Sequence, residues 1–334
     1  MLTIRPVDPE DEKQMTAFAG IQRESELHES AHATPFTLEE SREHLRNTDP
    51  SDETRGFLGY DGEVPVAAGV VELFLMDNAD KAWMGVDVLP AHRNRGHGSA
   101  MFDHVVQQVR DEGRRQVMTG ITAPAGADDT YAVRRFLEKR GFIYSQEDVH
   151  RMLSLPADET VLDRLWSSSE KHFADYTFAN FEGLPPEEMR DAYCVLLNQI
   201  VTDAPMGLMT FEEGGMTPEG LVKREEASRA AQRTTYVTVA LDGDRVPVAH
   251  NVLVVPGTDP DKIFNHDTMV RRDHRGHRLG YATKILNLRW VAPMFPDRTE
   301  VHTWNAASNS FMIAVNDAMG FRPVSNGIEF FRDL

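Results

Sequence analysis

Cysteine is nearly absent from this chain of 334 residues. Cys194 stands alone, so no disulfide can form within the chain, and a reducing cytoplasmic compartment is expected. Beside Val195, Leu196 and Leu197 it reads as a small buried apolar residue. No apolar run approaches the ~20 residues that cross a bilayer, and Met1-Leu2-Thr3-Ile4-Arg5 lacks the apolar core of a signal peptide. No low-complexity tract is present. Positive charge is scarce too: 35 Lys and Arg against 53 Asp and Glu leave a net charge of −18. That balance argues against a nucleic-acid or anionic-membrane partner. What the chain does have is an ordinary apolar share, 41%, which excludes disorder, and a length suited to about two domains.

The chain also repeats itself. Asp61-Gly62-Glu63-Val64-Pro65-Val66-Ala67 returns as Asp242-Gly243-Asp244-Arg245-Val246-Pro247-Val248-Ala249. Val64 and Val246 lie 182 apart (246 − 64), as do Val88 and Val270, Arg93 and Arg275, and Gly98 and Gly280. Gly141-Phe142 and Gly320-Phe321 follow at 179 (320 − 141). Matches in one order at near-constant spacing indicate two copies of one domain. The expected division is 1–155, a connecting segment 156–174, and 175–334.

Each copy reads as mixed α/β. Asp-Gly between apolar runs marks a hairpin, at Asp61-Gly62 and again within Tyr236–Val255. Met101, Val105, Val106 and Val109 set a helical period over Ser99–Glu112, with Tyr281–Trp290 as its counterpart. Closing strands are expected at Phe142–Leu155 and Arg322–Arg332.

Chemistry concentrates at one strand-to-helix turn in each copy. The first runs Val86-Asp87-Val88, then Arg93-Asn94-Arg95-Gly96-His97-Gly98-Ser99; the second runs Met269-Val270, then Arg275-Gly276-His277-Arg278-Leu279-Gly280-Tyr281. The first N–H groups of a helix have no internal partner and, with the helix dipole, favour an anion. Four arginines and two histidines between 271 and 278, in so acidic a chain, point to a local polyanion. The turn is neither a dinucleotide fingerprint, lacking the third glycine, nor a Walker loop, lacking Gly-Lys-Ser/Thr. His274 and His277 lack a second pair of ligands, so no metal is expected. A solvated basic turn capping a helix is the plainer alternative.

Arg-x-x-Gly-x-Gly after a Val-x-Val strand resembles the acetyl-CoA pyrophosphate loop of the GNAT superfamily of N-acetyltransferases. The first copy fits at Arg93, Gly96 and Gly98; the second fits at Arg275 and Gly280, with Arg278 in place of the middle glycine. The family's Asn, helix and Gly-Phe ending is matched at Asn309 and Gly320-Phe321, while the first copy has Thr130 in place of the Asn. The resemblance spans both copies. It implies an α/β fold of two GNAT-like domains in tandem, each a mixed, largely antiparallel twisted sheet flanked by helices.

Further expectations follow from the same resemblance. Acetyl-CoA is the implied cosubstrate, bound by both turns and by Asn309. A primary amine of a small molecule or peptide is the implied acceptor. The strands at Val86–Val88 and Met269–Val270 splay from their neighbours and hold pantetheine. Asp267 is the implied base, with His266 as a rival; the first copy has Gly85 there and Asp87 two residues on. The family's acid tyrosine is replaced by Leu137 and Asn316. Asn316 can hydrogen-bond a thiolate without serving as an acid, and Tyr236 and Tyr281 lie in the right half. Chemistry is therefore expected in the second copy. Acids lining the acceptor cleft would suit a cationic amine: Glu24, Glu26 and Glu29 with His28 and His32, and Asp203, Glu212 and Glu213 beside Met206, Met209 and Met216. The competing readings are an acyl-CoA sensor without catalysis, transfer of a different acyl group, and aminoacyl transfer from tRNA, which the charge disfavours.

Overall fold

The computed structural model describes residues 2–47, 52–203, 208 and 215–334, the side chains of 200–203 excepted. Of the cleft residues named above, Met206, Met209, Glu212, Glu213 and the side chain of Asp203 lie outside it. Two compact units form, and they are not the two contiguous halves. Of the described residues, one contains 2–47, 52–148, 208 and 324–334; the other contains 149–203 and 215–323.

The first unit runs β1 (Thr3–Pro6), α1 (Glu12–Glu29), α2 (Leu38–Leu45), β2 (Asp52–Asp61), β3 (Val64–Phe74), β4 (Lys81–Val88), α3 (His97–Asp111), β5 (Gln116–Pro124), α4 (Ala132–Glu138) and the start of β6 (Ile143–Ser154). β1 to β4 form an antiparallel meander, and β5 joins β4 in parallel. The expected hairpin turns at Gly62, whose φ of +64° suits a residue without Cβ. Met101, Phe102, Val105, Val106 and Val109 of α3 enter the core, as their spacing predicts. A Cβ on Gly69 of β3 would lie 2.6 Å from the Met101 sulfur, so the glycine lets α3 sit close on the sheet.

The second unit continues β6 and adds α5 (Glu159–Ser169), β7 (Thr177–Glu182), α6 (Arg190–Asp203), α7 (Pro218–Ala230), β8 (Arg233–Leu241), β9 (Pro247–Pro256), β10 (Lys262–Val270), α8 (Leu279–Val291), β11 (Glu300–Ala306) and α9 (Ser310–Met319). Its order, β7-β8-β9-β10-β11, repeats β1 to β5, again antiparallel up to a parallel β10–β11 pair. The closing strand β12 (Arg322–Asp333) then belongs to the first unit, where it pairs antiparallel with β5 from Ser325↔Pro124 to Asp333↔Gln116. Ile328 and Phe330 of β12 fill that unit's core. Among the described residues, no helix is long and apolar enough to cross a membrane.

Candidate functional site

In each unit the parallel pair separates partway along. β4 pairs with β5 only over Lys81–Met84, and β10 with β11 only over Lys262–Phe264. Gly85–Val88 and the end of β10 stay paired on their other side alone, which opens a gap beside the residues the sequence singled out. The strands differ inside that gap. β4 keeps a regular ladder with β3, whereas β10 shifts register against β9 between Asn265 and Thr268. Such a bulge re-aims side chains, and here it contains Asp267. Asn251 holds the bulge: its amide donates to Asn265 Oδ1 (2.9 Å), Thr268 Oγ1 (2.9 Å) and the Asp267 carbonyl (3.2 Å). Asn287 of α8 in turn donates to Asn251 Oδ1 (2.9 Å).

Beside Asp267 lies a buried polar pair. The Tyr193 hydroxyl and His250 Nδ1 are 2.9 Å apart, and both residues are buried. Burial lowers His250 to about 4, partly opposed by the Asp267 charge, so its imidazole is neutral at neutral pH. Burial and the same charge raise Tyr193, which keeps its hydroxyl protonated. Neither residue carries a sequence signal of its own beyond a lone histidine in an apolar strand. His266, the rival base, is exposed at the bulge.

The first unit has a different polar centre, at the C-terminal end of α1. Burial and the neighbouring Asp87 carboxylate push Glu26 up to about 8. Burial raises Asp87 to about 6 against the opposing hydrogen bond from Ser25 and the charge of Arg93. Arg93 spans the cluster: it pairs with Glu29 and donates to Ser25 Oγ (3.1 Å) and the Val88 carbonyl (3.2 Å). The Tyr131 hydroxyl donates to the same Glu29 (2.5 Å). Glu24 and His28 stay exposed, while His32 is half-buried.

The two turns repeat each other closely. Arg275 donates to the Val270 carbonyl (3.3 Å), as Arg93 does to Val88. α3 and α8 both start without a side-chain cap, as does the short α4, whereas α1, α2, α5, α7 and α9 each have one. Their first-turn N–H groups thus have no capping side chain to satisfy them, as an anion site requires. A Cβ on Gly96 or Gly276 would meet nothing within 4 Å, and one on Gly98 only Val88, so a bulky anion can approach the backbone.

Side chains around the turns are more committed than the sequence suggests. Ser99 accepts from Arg140 (2.9 Å), Arg95 donates to the Ala91 carbonyl (3.1 Å), and His277 Nδ1 lies 3.1 Å from the His274 carbonyl. Asn94 supplies a left-handed turn. Val86 and Val88 pack against the first unit's core, while Met269, Leu279 and Tyr281 are buried in the second unit's and Val270 packs beside them. Gly276 and Arg278 are exposed, and Gly280 is buried at the start of α8. Asn309 caps α9, accepting from the Met312 N–H (3.2 Å). Asn316 is fully buried, accepts from Lys284 Nζ (2.7 Å) and donates to Asn305 Oδ1. Lys284 carries no signal in the sequence, being one charged residue in a helix; burial lowers it to about 7.

Residues 21–142 match the acetyltransferase (GNAT) family. No curated protein sequence matches the chain. Among solved structures, the fold is similar to a tandem GNAT protein from the clavulanic acid biosynthesis pathway, at 21% identity, 100% of this chain, 98% of that one and TM-score 0.80. It is also similar to a GCN5-related N-acetyltransferase from Sphaerobacter thermophilus, at 14% identity, 99% and 95% coverage and TM-score 0.70. A GCN5-related glucosamine N-acetyltransferase region of a fungal multi-domain β-N-acetylglucosaminidase aligns at 13% identity over 99% of this chain and 38% of that one, TM-score 0.65.

Proposed function

We propose that the chain is a tandem-repeat acyltransferase of the GNAT superfamily, a reading supported by the family match over residues 21–142 and by the tandem fold, and that it moves an acetyl group from acetyl-CoA to a primary amine of a small molecule or peptide, in the second unit. One observation carries the assignment. The bulge in β10 sets Asp267 beyond the point where β10 leaves β11, within charge range of the buried Tyr193–His250 pair. The uncapped turn over Arg275–Leu279, with its exposed Gly276, suits a pyrophosphate, so these residues would hold the cosubstrate.

Acetyl-CoA supplies the activated acyl group. Asp267 takes the proton of the bound ammonium and leaves a neutral amine. The amine nitrogen forms a bond to the acyl carbon as the C–S bond breaks, and its second proton passes to solvent. The sulfur keeps the bonding electron pair and takes up a proton from water. Tyr193, held protonated, and neutral His250 supply polar groups without added charge.

A second reading places the reaction in the first unit, where Glu26 and Asp87 lie together and the residues that open α3 are partly accessible. Thiol release from acetyl-CoA across an amine panel separates the two. Asp267→Asn is expected to cut kcat by at least about 100-fold, the usual worth of a general base, with little change from Asp87→Asn. The reverse pattern moves the chemistry to the first unit. CoA binding without turnover on any amine makes the chain a sensor.

A further inference from the structure

We propose that Asp61, His92 and His97 of the first unit form a binding site for a divalent transition metal of the zinc type. The three residues come from separate pieces of chain: Asp61 ends β2 at the hairpin turn, His92 closes a short 3-10 turn after β4, and His97 is the first residue of α3. One ligand atom from each lies within 4.8 Å of the other two.

The nitrogens lack any other employment. His92 Nδ1 and His97 Nε2 are shielded from solvent and take no hydrogen bond. His97 Nε2 stands 3.6 Å from Asp61 Oδ2, too far for a hydrogen bond and close enough for an ion to bridge. Buried imidazole nitrogens left unpartnered are unfavourable, and a metal removes that cost. The adjacent arginines are engaged elsewhere, Arg93 with Glu29 and Ser25, and Arg95 with the Ala91 carbonyl.

The donor set selects the metal. Two imidazoles and one carboxylate suit zinc and its neighbours, whereas calcium and magnesium prefer oxygen alone. The half-exposed Asp61 leaves water access to a fourth position. The second copy is an internal contrast. There His92 corresponds to His274 (92 + 182) and His97 to Leu279 (97 + 182), which is buried in the core. The His274 ring nitrogen is taken by the Tyr176 hydroxyl at 2.9 Å. The cluster is thus a property of the first turn, where an ion would pin the start of α3 to the β2–β3 hairpin.

The test is titration of chelator-stripped, full-length protein with Zn2+ against a chromophoric chelator, and with Co2+ by visible absorption. One site per chain is expected, with a four-coordinate cobalt spectrum. His92→Ala and His97→Ala should each weaken Zn2+ binding by at least about tenfold, and His274→Ala should leave it unchanged. Zn2+ should raise the melting temperature of the wild type and not of either variant. Circular dichroism of the variants separates lost ligation from lost folding, and Asp61→Asn, at an exposed turn, gives a second, milder ligand change. Absence of a stoichiometric site, or binding that survives both histidine substitutions, overturns the proposal.

Discussion

Two backbone positions in each strand-to-helix turn are left-handed, and the glycine that eases this has moved between them. In the first copy they are Asn94 (φ 61°) and Gly96 (φ 85°). In the second they are Gly276 (φ 87°) and Arg278 (φ 56°), each 182 residues on. Asparagine tolerates that conformation; arginine, with its Cβ against the next carbonyl, bears about 1–2 kcal/mol. Arg278→Gly should relieve this and lose about 0.5–1 kcal/mol to the freer unfolded chain. A net gain of about 0.5–1 kcal/mol is expected in urea unfolding. A loss would mean that the Arg278 side chain, which lies over the Tyr281 ring, matters more than its strained backbone. The same turn marks how far single residues can be read. Its path was legible from Gly and Arg spacing. The use of Arg93 was not, because its partners Ser25 and Glu29 lie 68 and 64 residues away.

Among the elements, α8 shows what a periodic pattern conceals. α3 has one apolar stripe and was legible; α8 is buried along most of its length, from Leu279 to Val291, so no single face stands out. Lys284 therefore reads as a solvated charge, although its ammonium lies in the core against Asn316 and over the Phe321 ring. Its depressed pKa makes stability depend on pH. The folded protein releases this proton at about 7, while the unfolded chain keeps it up to the ordinary 10.5. Between those values unfolding takes up a proton, so stability rises with pH. Below about 7 both states carry the proton, and the cost is constant. From about pH 7 to about pH 9 the wild type should gain about 2 kcal/mol relative to Lys284→Met, read from denaturant midpoints. A difference that stays flat would show the lysine charged throughout. The bulge in β10 was equally hidden: Asp267 was legible as a candidate base, but Asn251, Asn265 and Asn287, which hold its strand, meet across 14 to 36 residues. Asn309 is the opposite case. An asparagine opening a helix is a capping signal, and the structure uses it as one.

At the scale of the molecule, the repeat and the mixed α/β plan of each copy were legible in the sequence, but not which closing strand completes which unit. Each copy ends in Gly-Phe and a strand, at β6 and at β12, so the contiguous halves looked self-sufficient. Instead β12, which starts 198 residues after the end of β5 (322 − 124), supplies nine ladder pairs to it, and residues 149–203 and 215–323 belong to the second unit. The exchange determines how the chain can be divided. Residues 1–155 alone would lack Ile328 and Phe330, two fully buried side chains worth about 1.5–3 kcal/mol each, and would leave β5 without its antiparallel partner. Domains of this size are stable by only about 5–15 kcal/mol in total. The fragment 1–155 should therefore show no cooperative melt in circular dichroism, and a peptide of residues 320–334 should restore one. Deleting 324–334 from the full chain should abolish the melting of the first unit before that of the second, seen as loss of protection at Met101–Val109 in hydrogen exchange. A fragment 1–155 that melts cooperatively at the temperature of the intact chain would show that the first copy is a complete folding unit and that β12 only adds to it.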